Sequence, residues 1–294
     1  MKKIKEKTSN YKKAFDWESR ICSVLIYIFL TALAGVIIYP FIVAFGSSMK
    51  TQMEVLTTSN LFPSKLNFSN YAQAWSMANF STYTFNSAWY SACIVIVVVL
   101  SSTIGGYVFA RGEFRGRNFF FGLFTALMFV CLGSSSMYPS LQILKGLHLN
   151  TTLFGLIIRT MFGINITNIF LVRSFMAQIP KELDEAAAID GCDFIRTFIK
   201  IMLPMLKPII ATVAIFAFGG SWNEYLWPMI VTLGNPAQRT LSVGLIALKA
   251  SGQAATAWHL ILAGGMISAV PMIIVFLIFN KYFIKGLAAG AVKG

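Results

Sequence analysis

Residues 181–204 read Lys-Glu-Leu-Asp-Glu-Ala-Ala-Ala-Ile-Asp-Gly-Cys-Asp-Phe-Ile-Arg-Thr-Phe-Ile-Lys-Ile-Met-Leu-Pro and hold Glu182, Asp184, Glu185, Asp190 and Asp193, five of the chain's 11 acidic residues. Carboxylates serve as acids or bases, as metal ligands, or as charge offered to a partner. The first two uses need company that the chain lacks. No catalytic triad or metal-ligand cluster occurs, and only two histidines, His148 and His259, are present. Cys22, Cys93, Cys131 and Cys192 are scattered, form no Cys-x-x-Cys pair, and read as small core residues rather than disulfides or metal ligands. No Gly-x4-Gly-Lys-Ser/Thr loop is present to cradle a phosphate. So much acid in one place, in so apolar a chain, needs another explanation. A second polar group, Trp222-Asn223-Glu224-Tyr225, interrupts an apolar run, and Arg159 stands in another. An ionisable group at a bilayer centre costs about 2.5–3.5 kcal/mol on insertion scales and faces the protein interior or a water-filled path. Two uses fit these residues: lining a polar path, or fastening helices to one another. Arg159 lies about eight residues, or ~12 Å, from the end of its apolar run, so it can also snorkel. Asn165 and Asn168 are similar candidates.

Two short helices joined by a turn would display the acidic stretch. Pro180 suits a first helical turn, where its missing N–H is not needed. Glu182, Asp184 and Glu185 then lie at the positive end of the helix dipole. Leu183, Ala187 and Asp190 share a face, and Ala186–Ala188 form helix with little bulk, so the surface can enter a groove closely. Gly191 suits a left-handed cap, Asp193 caps the next helix, Phe194, Phe198 and Ile201 form its apolar stripe, and Pro204 is expected to stop it.

The rest of the chain is apolar. Mean hydropathy is +0.69 and only 12% of residues are charged, the composition of a multi-span membrane protein. The pattern predicts an all-α integral membrane protein with six transmembrane helices, at about 21–45, 83–110, 118–140, 152–175, 208–232 and 258–283. A basic segment, 1–20, precedes the membrane domain 21–283; a tail, 284–294, follows it, and the acidic loop, 176–207, joins spans four and five. Ala32-Leu33-Ala34 resembles a cleavage site, but the apolar run continues to Phe45, too long for a signal core. Trp258 and Tyr282 suit the two membrane interfaces. Six spans put both termini on one side. Of the 24 Lys and Arg, seven lie in residues 1–20, three in 111–117, five around the acidic loop and three near the C-terminus. Lys50, Lys65, Lys145, Arg239 and Lys249 lie on the other side. The positive-inside rule therefore makes both termini and the acidic loop cytoplasmic. The net charge of +13 is topology and does not indicate nucleic-acid binding.

Glu185-Ala186-Ala187, Gly191 and Ile201-x-Leu203-Pro204 fit E-A-A-x3-G-x9-I-x-L-P. This resembles the coupling loop of permease subunits in bacterial ABC importers. Phe109-Ala-Arg-Gly-Glu-Phe-Arg-Gly-Arg117, Trp222-Asn-Glu-Tyr-Leu-Trp227 and Gly290-Ala-Val-Lys-Gly294 are similar to stretches of the carbohydrate importers, in particular the smaller of the two maltose-type permeases. The resemblance runs from about residue 20 to the end. Cys192 departs from it, standing where the family has a small residue such as Ala. The resemblance implies a non-catalytic subunit in a bacterial inner membrane. Its implied partners are a second homologous permease, two ATPase subunits that bind ATP and Mg, and an extracytoplasmic solute-binding protein; no cofactor belongs to this chain. It implies that Glu185, Ala186, Ala187, Asp190, Gly191, Ile201, Leu203 and Pro204 couple to the ATPase, and that Ala291, Val292 and Lys293 of the tail also reach it. For a carbohydrate substrate, Asn223 and Glu224 offer hydrogen bonds, and Trp222 and Tyr225 offer flat apolar faces. The rival readings are a membrane-surface loop, a permease for another solute, a secondary transporter and a membrane-anchored scaffold. Acid on residues 182–190 argues against the first, since such a helix wants Lys and Arg on its polar face. The C-terminal signature argues against the second, and a single intramembrane acid against the third.

Overall fold

The computed structural model describes residues 2–77, 79–130, 133–163, 165–250 and 257–291, with side chains between 20 and 280 other than 77, 133, 134 and 247–250. Cys131, Val292 and Lys293 lie outside the described residues, and Ala291 is described only as the last residue of a helix. All regular elements among the described residues are helices.

Apolarity sets the longest of them. The first helix, α1 (Lys2–Ser48), contains the 29-residue apolar segment Arg20–Ser48, whose most apolar stretch has no buried residue. The short helices α2 (Gln52–Thr57) and α3 (Ser69–Met77) follow, then α4 (Phe80–Arg111), 32 residues without a break. The last long helix, α15 (Trp258–Ala291), carries the apolar segment Trp258–Asn280 and continues through most of the expected separate tail. These three segments are long and apolar enough to cross a membrane, and two bent helix pairs raise the number to five.

The expected third span is not one helix. The residues from 117 form α5 (Arg117–Leu127), a 3-10 turn at Gly133–Ser136, and α6 (Met137–Gly146). Eleven residues reach ~16 Å, short of a ~30 Å hydrocarbon core. Glycine and serine in that turn favour local backbone hydrogen bonds over helix; Ser140 Oγ donates to Ser136 O at 2.8 Å. The loop expected at 141–151 is accordingly half helix. The expected fourth span is the bent pair α7 (Leu153–Phe162) and α8 (Ile166–Met176), at 48°. Gly163 leaves the helical region there, with ψ 142°.

Next come α9 (Glu182–Ile189), α10 (Phe194–Thr197), a π turn at Phe198–Met202, α11 (Leu203–Met205) and α12 (Lys207–Asn223). Pro204 does not stop the helix, and the π turn before it explains why. Leu203 N–H bonds back to Phe198 O, one residue further than in an α-helix, which widens the turn facing the proline ring. The bend, 77° between Phe194–Met205 and Lys207–Asn223, falls instead at Leu206, and Pro208 stands just after it in the first turn of α12, where its missing N–H is not needed. Proline also breaks the expected fifth span. Pro228 lies in α13 (Leu226–Val231), and Glu224, four residues before it, takes extended geometry at ψ 126°. A 3-10 turn at Pro236–Gln238 and α14 (Leu241–Ala250) complete the fold.

The centre of the bundle is α4, packed against α7, α8 and α12, with α12 also on α15. Small residues permit the close approach: a Cβ on Gly106 would lie 2.7 Å from Val172 Cβ. One apolar cluster, with Tyr90, Val98, Tyr107, Leu156 and Val172, fills the space between α4, α7, α8 and α12. A second, with Phe80, Tyr83, Trp222, Leu241 and Leu260, joins α4, α12, α14 and α15.

Candidate functional site

The acidic stretch is a built surface. Pro180 lies before α9, not in its first turn; Lys181 is the N-cap, and Glu182, Asp184 and Glu185 occupy the first turn. The helix ends in a Schellman motif: Cys192 N–H reaches Ala187 O at 2.9 Å, Gly191 N–H reaches Ala188 O at 3.0 Å, and Gly191 has φ +75°. Asp193 then caps α10, its Oδ1 accepting from Arg196 N at 2.7 Å. Ala187 is buried, whereas Glu185, Ala186, Asp190 and Gly191 are exposed, as is Leu183 on the face expected to unite it with Ala187. Ile189 is 87% exposed and Ile195 65%, so apolar tips flank the acids on the same short hairpin. Ile201 and Leu203 are half-buried and Pro204 is exposed around the π turn.

The end of α4 holds this hairpin from behind. Arg111 Nε lies 2.7 Å from Asp184 Oδ2, an ion pair too poorly aligned for a hydrogen bond, with the Arg111 side chain only 9% exposed. The same guanidinium donates through Nη2 to Ile179 O at 2.6 Å. One turn earlier, Tyr107 Oη donates to Phe194 O at 3.1 Å, and its ring packs on Phe194 and Phe198 at centroid distances of 4.4 and 4.9 Å. A charged cleft of about 340 Å³ opens beside these contacts, lined by Arg111, Glu113, Arg117, Lys181, Asp184 and Glu185. Arg111 reads in the sequence only as one charge of a basic loop, and nothing there marks Tyr107, because the partners of both lie some 70 residues or more away.

The second polar group does not form one surface. Trp222 is 3% exposed; its ring packs on Phe218 and its Nε1 donates to Ser268 O at 3.0 Å, so the indole is committed to the contact between α12 and α15. That places it in a core, not on a path. Asn223 is exposed and donates to Gly219 O at 2.9 Å; Tyr225 is half-buried. Glu224, at the break between α12 and α13, accepts a 2.7 Å hydrogen bond from Tyr90 Oη of α4. Arg159 lies over the Trp227 ring, 3.8 Å from its centroid, and lines a cleft of about 770 Å³ with Ser140, Thr160 and Asn165. Asn165 also donates to Ser101 Oγ at 3.3 Å. Arg159 thus touches α13 while Glu224 stands at the break before it, and the two are not an ion pair. Tyr90 escapes sequence inspection because it lies in an apolar run as an ordinary aromatic, and Trp227 is noticed there only as the end of the Trp222–Trp227 stretch, with no role.

Residues 102–288 match the family described as binding-protein-dependent transport system inner membrane component. The chain is 34% identical over 280 residues to the arabinooligosaccharides transport system permease protein AraQ of Halalkalibacterium halodurans, covering 94% of this chain and 98% of that protein. It is 30% identical over 270 residues to the melibiose/raffinose/stachyose import permease protein MelC of Bacillus subtilis, covering 90% and 96%. Among solved structures, it resembles a chain of a bacterial ABC transporter involved in the import of the acidic polysaccharide alginate. The TM-score is 0.77 and the identity 26%, over 90% of this chain and 97% of that one.

Proposed function

Because the chain belongs to the family of binding-protein-dependent transport system inner membrane components, a family of ABC importer permeases, we propose that it forms half of the translocation pore of an ATP-driven carbohydrate importer. Its partners are a second homologous permease, two ATPase subunits that bind ATP and Mg, and an extracytoplasmic solute-binding protein. Relatives named for arabinooligosaccharide and for melibiose, raffinose and stachyose import support the substrate class.

The observation that carries the reading is the hairpin α9–α10. It is exposed, acidic and apolar-tipped, and a Schellman cap and an Asp193 cap fix its shape. Such a surface suits a cleft on another protein, here the ATPase. Glu185, Ala186, Ala187, Asp190, Gly191, Ile201, Leu203 and Pro204 form the coupling loop in this reading, with Ala291, Val292 and Lys293 as a further ATPase contact. Asn223, Glu224, Tyr225 and Arg159 border the path, and Trp222 supports it from the core.

Six passes, with both termini cytoplasmic, fit the contacts between loops. Leu153 N–H bonds to Gln238 Oε1, and Asn86 bonds to Ala237 O and Arg239 O, so 86, 153 and 238 share one side. Arg111 and Asp184 touch on the other. The chain must then cross an odd number of times between 111 and 153, and the broken α5–α6 segment supplies that pass.

Glu185→Lys reverses a charge that the ATPase cleft receives, and Gly191→Val places a β-branched side chain at positive φ. Either change abolishes uptake of a radiolabelled sugar that the unaltered complex accepts, while the chain still inserts in the membrane. Normal uptake with either change would sink the coupling assignment.

A further inference from the structure

We infer that Arg111 and Tyr107 clamp the coupling loop to α4, so that loop and helix move as one body; the inference rests on the coupling reading above. Three contacts carry it, and they grip the loop at successive points: Ile179 O before α9, Asp184 within it, and Phe194 O at the start of α10. All three come from two residues four apart on α4, hence from one face of one helix end. A loop held only at its ends could swing against the bundle. Here the middle of the coupling helix is also tied, through an ion pair with a largely buried guanidinium.

What α4 does elsewhere gives the clamp its consequence. At its far end, Asn86 Nδ2 donates to Ala237 O and Arg239 O at 2.8 and 2.9 Å, and Ser87 Oγ accepts from Leu241 N at 2.8 Å. One turn inward, Tyr90 holds Glu224 at the α12–α13 break. The helix between the two grips is unbroken, and residues 86 and 111 lie ~37 Å apart along it. Motion of the coupling loop therefore reaches both the Glu224 break and the loop before α14 through one rod. Arg111 and Tyr107 are positioning residues: they touch neither ATP nor sugar.

The assembled complex, its four native cysteines in this chain replaced, supplies the test. Ala110 and Ala188 line the same cleft on the two sides of the clamp. Cysteines at these positions are cross-linked with a short bifunctional maleimide, once without nucleotide and once after trapping with ATP, Mg and vanadate. The clamp gives the same yield in both states. Arg111→Gln makes the two yields differ by about fivefold or more, within the range by which such contacts modulate coupling, and the charge-reversed pair Arg111→Asp/Asp184→Arg narrows the difference again. Unequal yields in the otherwise unaltered chain overturn the proposal, even if the Arg111 variants fail to assemble. So do equal yields with Arg111→Gln. The Glu185→Lys uptake assay separates the premises: normal uptake there removes the coupling reading itself, whereas lost uptake with unequal cross-linking removes only the clamp.

Discussion

Glu224 has one hydrogen-bond partner among the described residues, and that partner is 2% exposed. A hydrogen bond to a charged group contributes about 1.5–3 kcal/mol, and a carboxylate left without one in an apolar bundle costs more than the bond contributes. The two ends of the contact are therefore unequal under mutation. Glu224→Gln keeps an acceptor for Tyr90 Oη and removes only charge. Tyr90→Phe removes the donor and strands the carboxylate. Thermal unfolding of the detergent-purified complex should fall further for Tyr90→Phe, by about 1.5–3 kcal/mol, than for Glu224→Gln. Transport then distinguishes the roles of Glu224. If it meets sugar, Glu224→Gln raises the apparent transport constant or changes sugar preference with assembly intact. If it only fastens subunits, the partner permease co-purifies less and preference stays the same. Glu224 leaves the path if neither quantity moves.

At the scale of the element, α2 shows how a short helix survives outside the membrane. Thr51 and Glu54 form a capping box: Thr51 N–H donates to Glu54 Oε2 at 3.0 Å, and Thr51 Oγ1 accepts from Glu54 N at 3.3 Å. Ser64 N–H donates to Glu54 Oε1 at 3.1 Å and closes the following loop. These bonds, with Thr51 N–H the strongest and Ser64 next, hold the Glu54 carboxyl down to about 2 from its ordinary 4.5. A depressed carboxyl stabilises the folded form above its ordinary value, and the contribution disappears as pH falls from 4.5 towards 2. The protection of backbone amides across residues 51–64 against exchange, relative to their intrinsic rate at each pH, should fall over that interval in the wild type and show no such step in Glu54→Gln. The turn of the acidic hairpin is equally legible in sequence, since Gly191 and Asp193 announce caps by residue type alone. The helix breaks were less so. Proline acts on the carbonyl four residues earlier, so Pro228 marks Glu224, while Pro208 only opens α12 after the bend at Leu206 and Pro204 is absorbed by a π turn that no local signal announces. Contacts such as Arg111–Asp184 and Tyr90–Glu224 depend on which faces of distant helices meet, information that a single hydrophobic pattern does not contain.

For the whole molecule the question is how many times the chain crosses the bilayer, because one pass more or fewer carries the acidic hairpin to the opposite side. Helix length and apolarity alone reach five passes, with each bent pair counted as one. With five, the α5–α6 segment would turn back and Leu147 would share a side with Arg111, leaving the acidic hairpin opposite to both. That arrangement separates Arg111 from Asp184 by a membrane, although the two are in contact. It also separates Asn86 from Ala237 and Arg239, because three crossings would then lie between them, although these too are in contact. Six passes satisfy both contacts and leave the basic segments on the cytoplasmic side, as charge bias requires. Single cysteines at Lys65, Leu147 and Glu182, all exposed, in a chain without its native cysteines decide the matter. Treated in intact cells with an impermeant maleimide, Lys65→Cys and Leu147→Cys should label at once, and Glu182→Cys only after permeabilisation. Labelling of Glu182→Cys together with Lys65→Cys, and protection of Leu147→Cys, would establish five passes, put the acidic hairpin outside, and leave it no ATPase to meet.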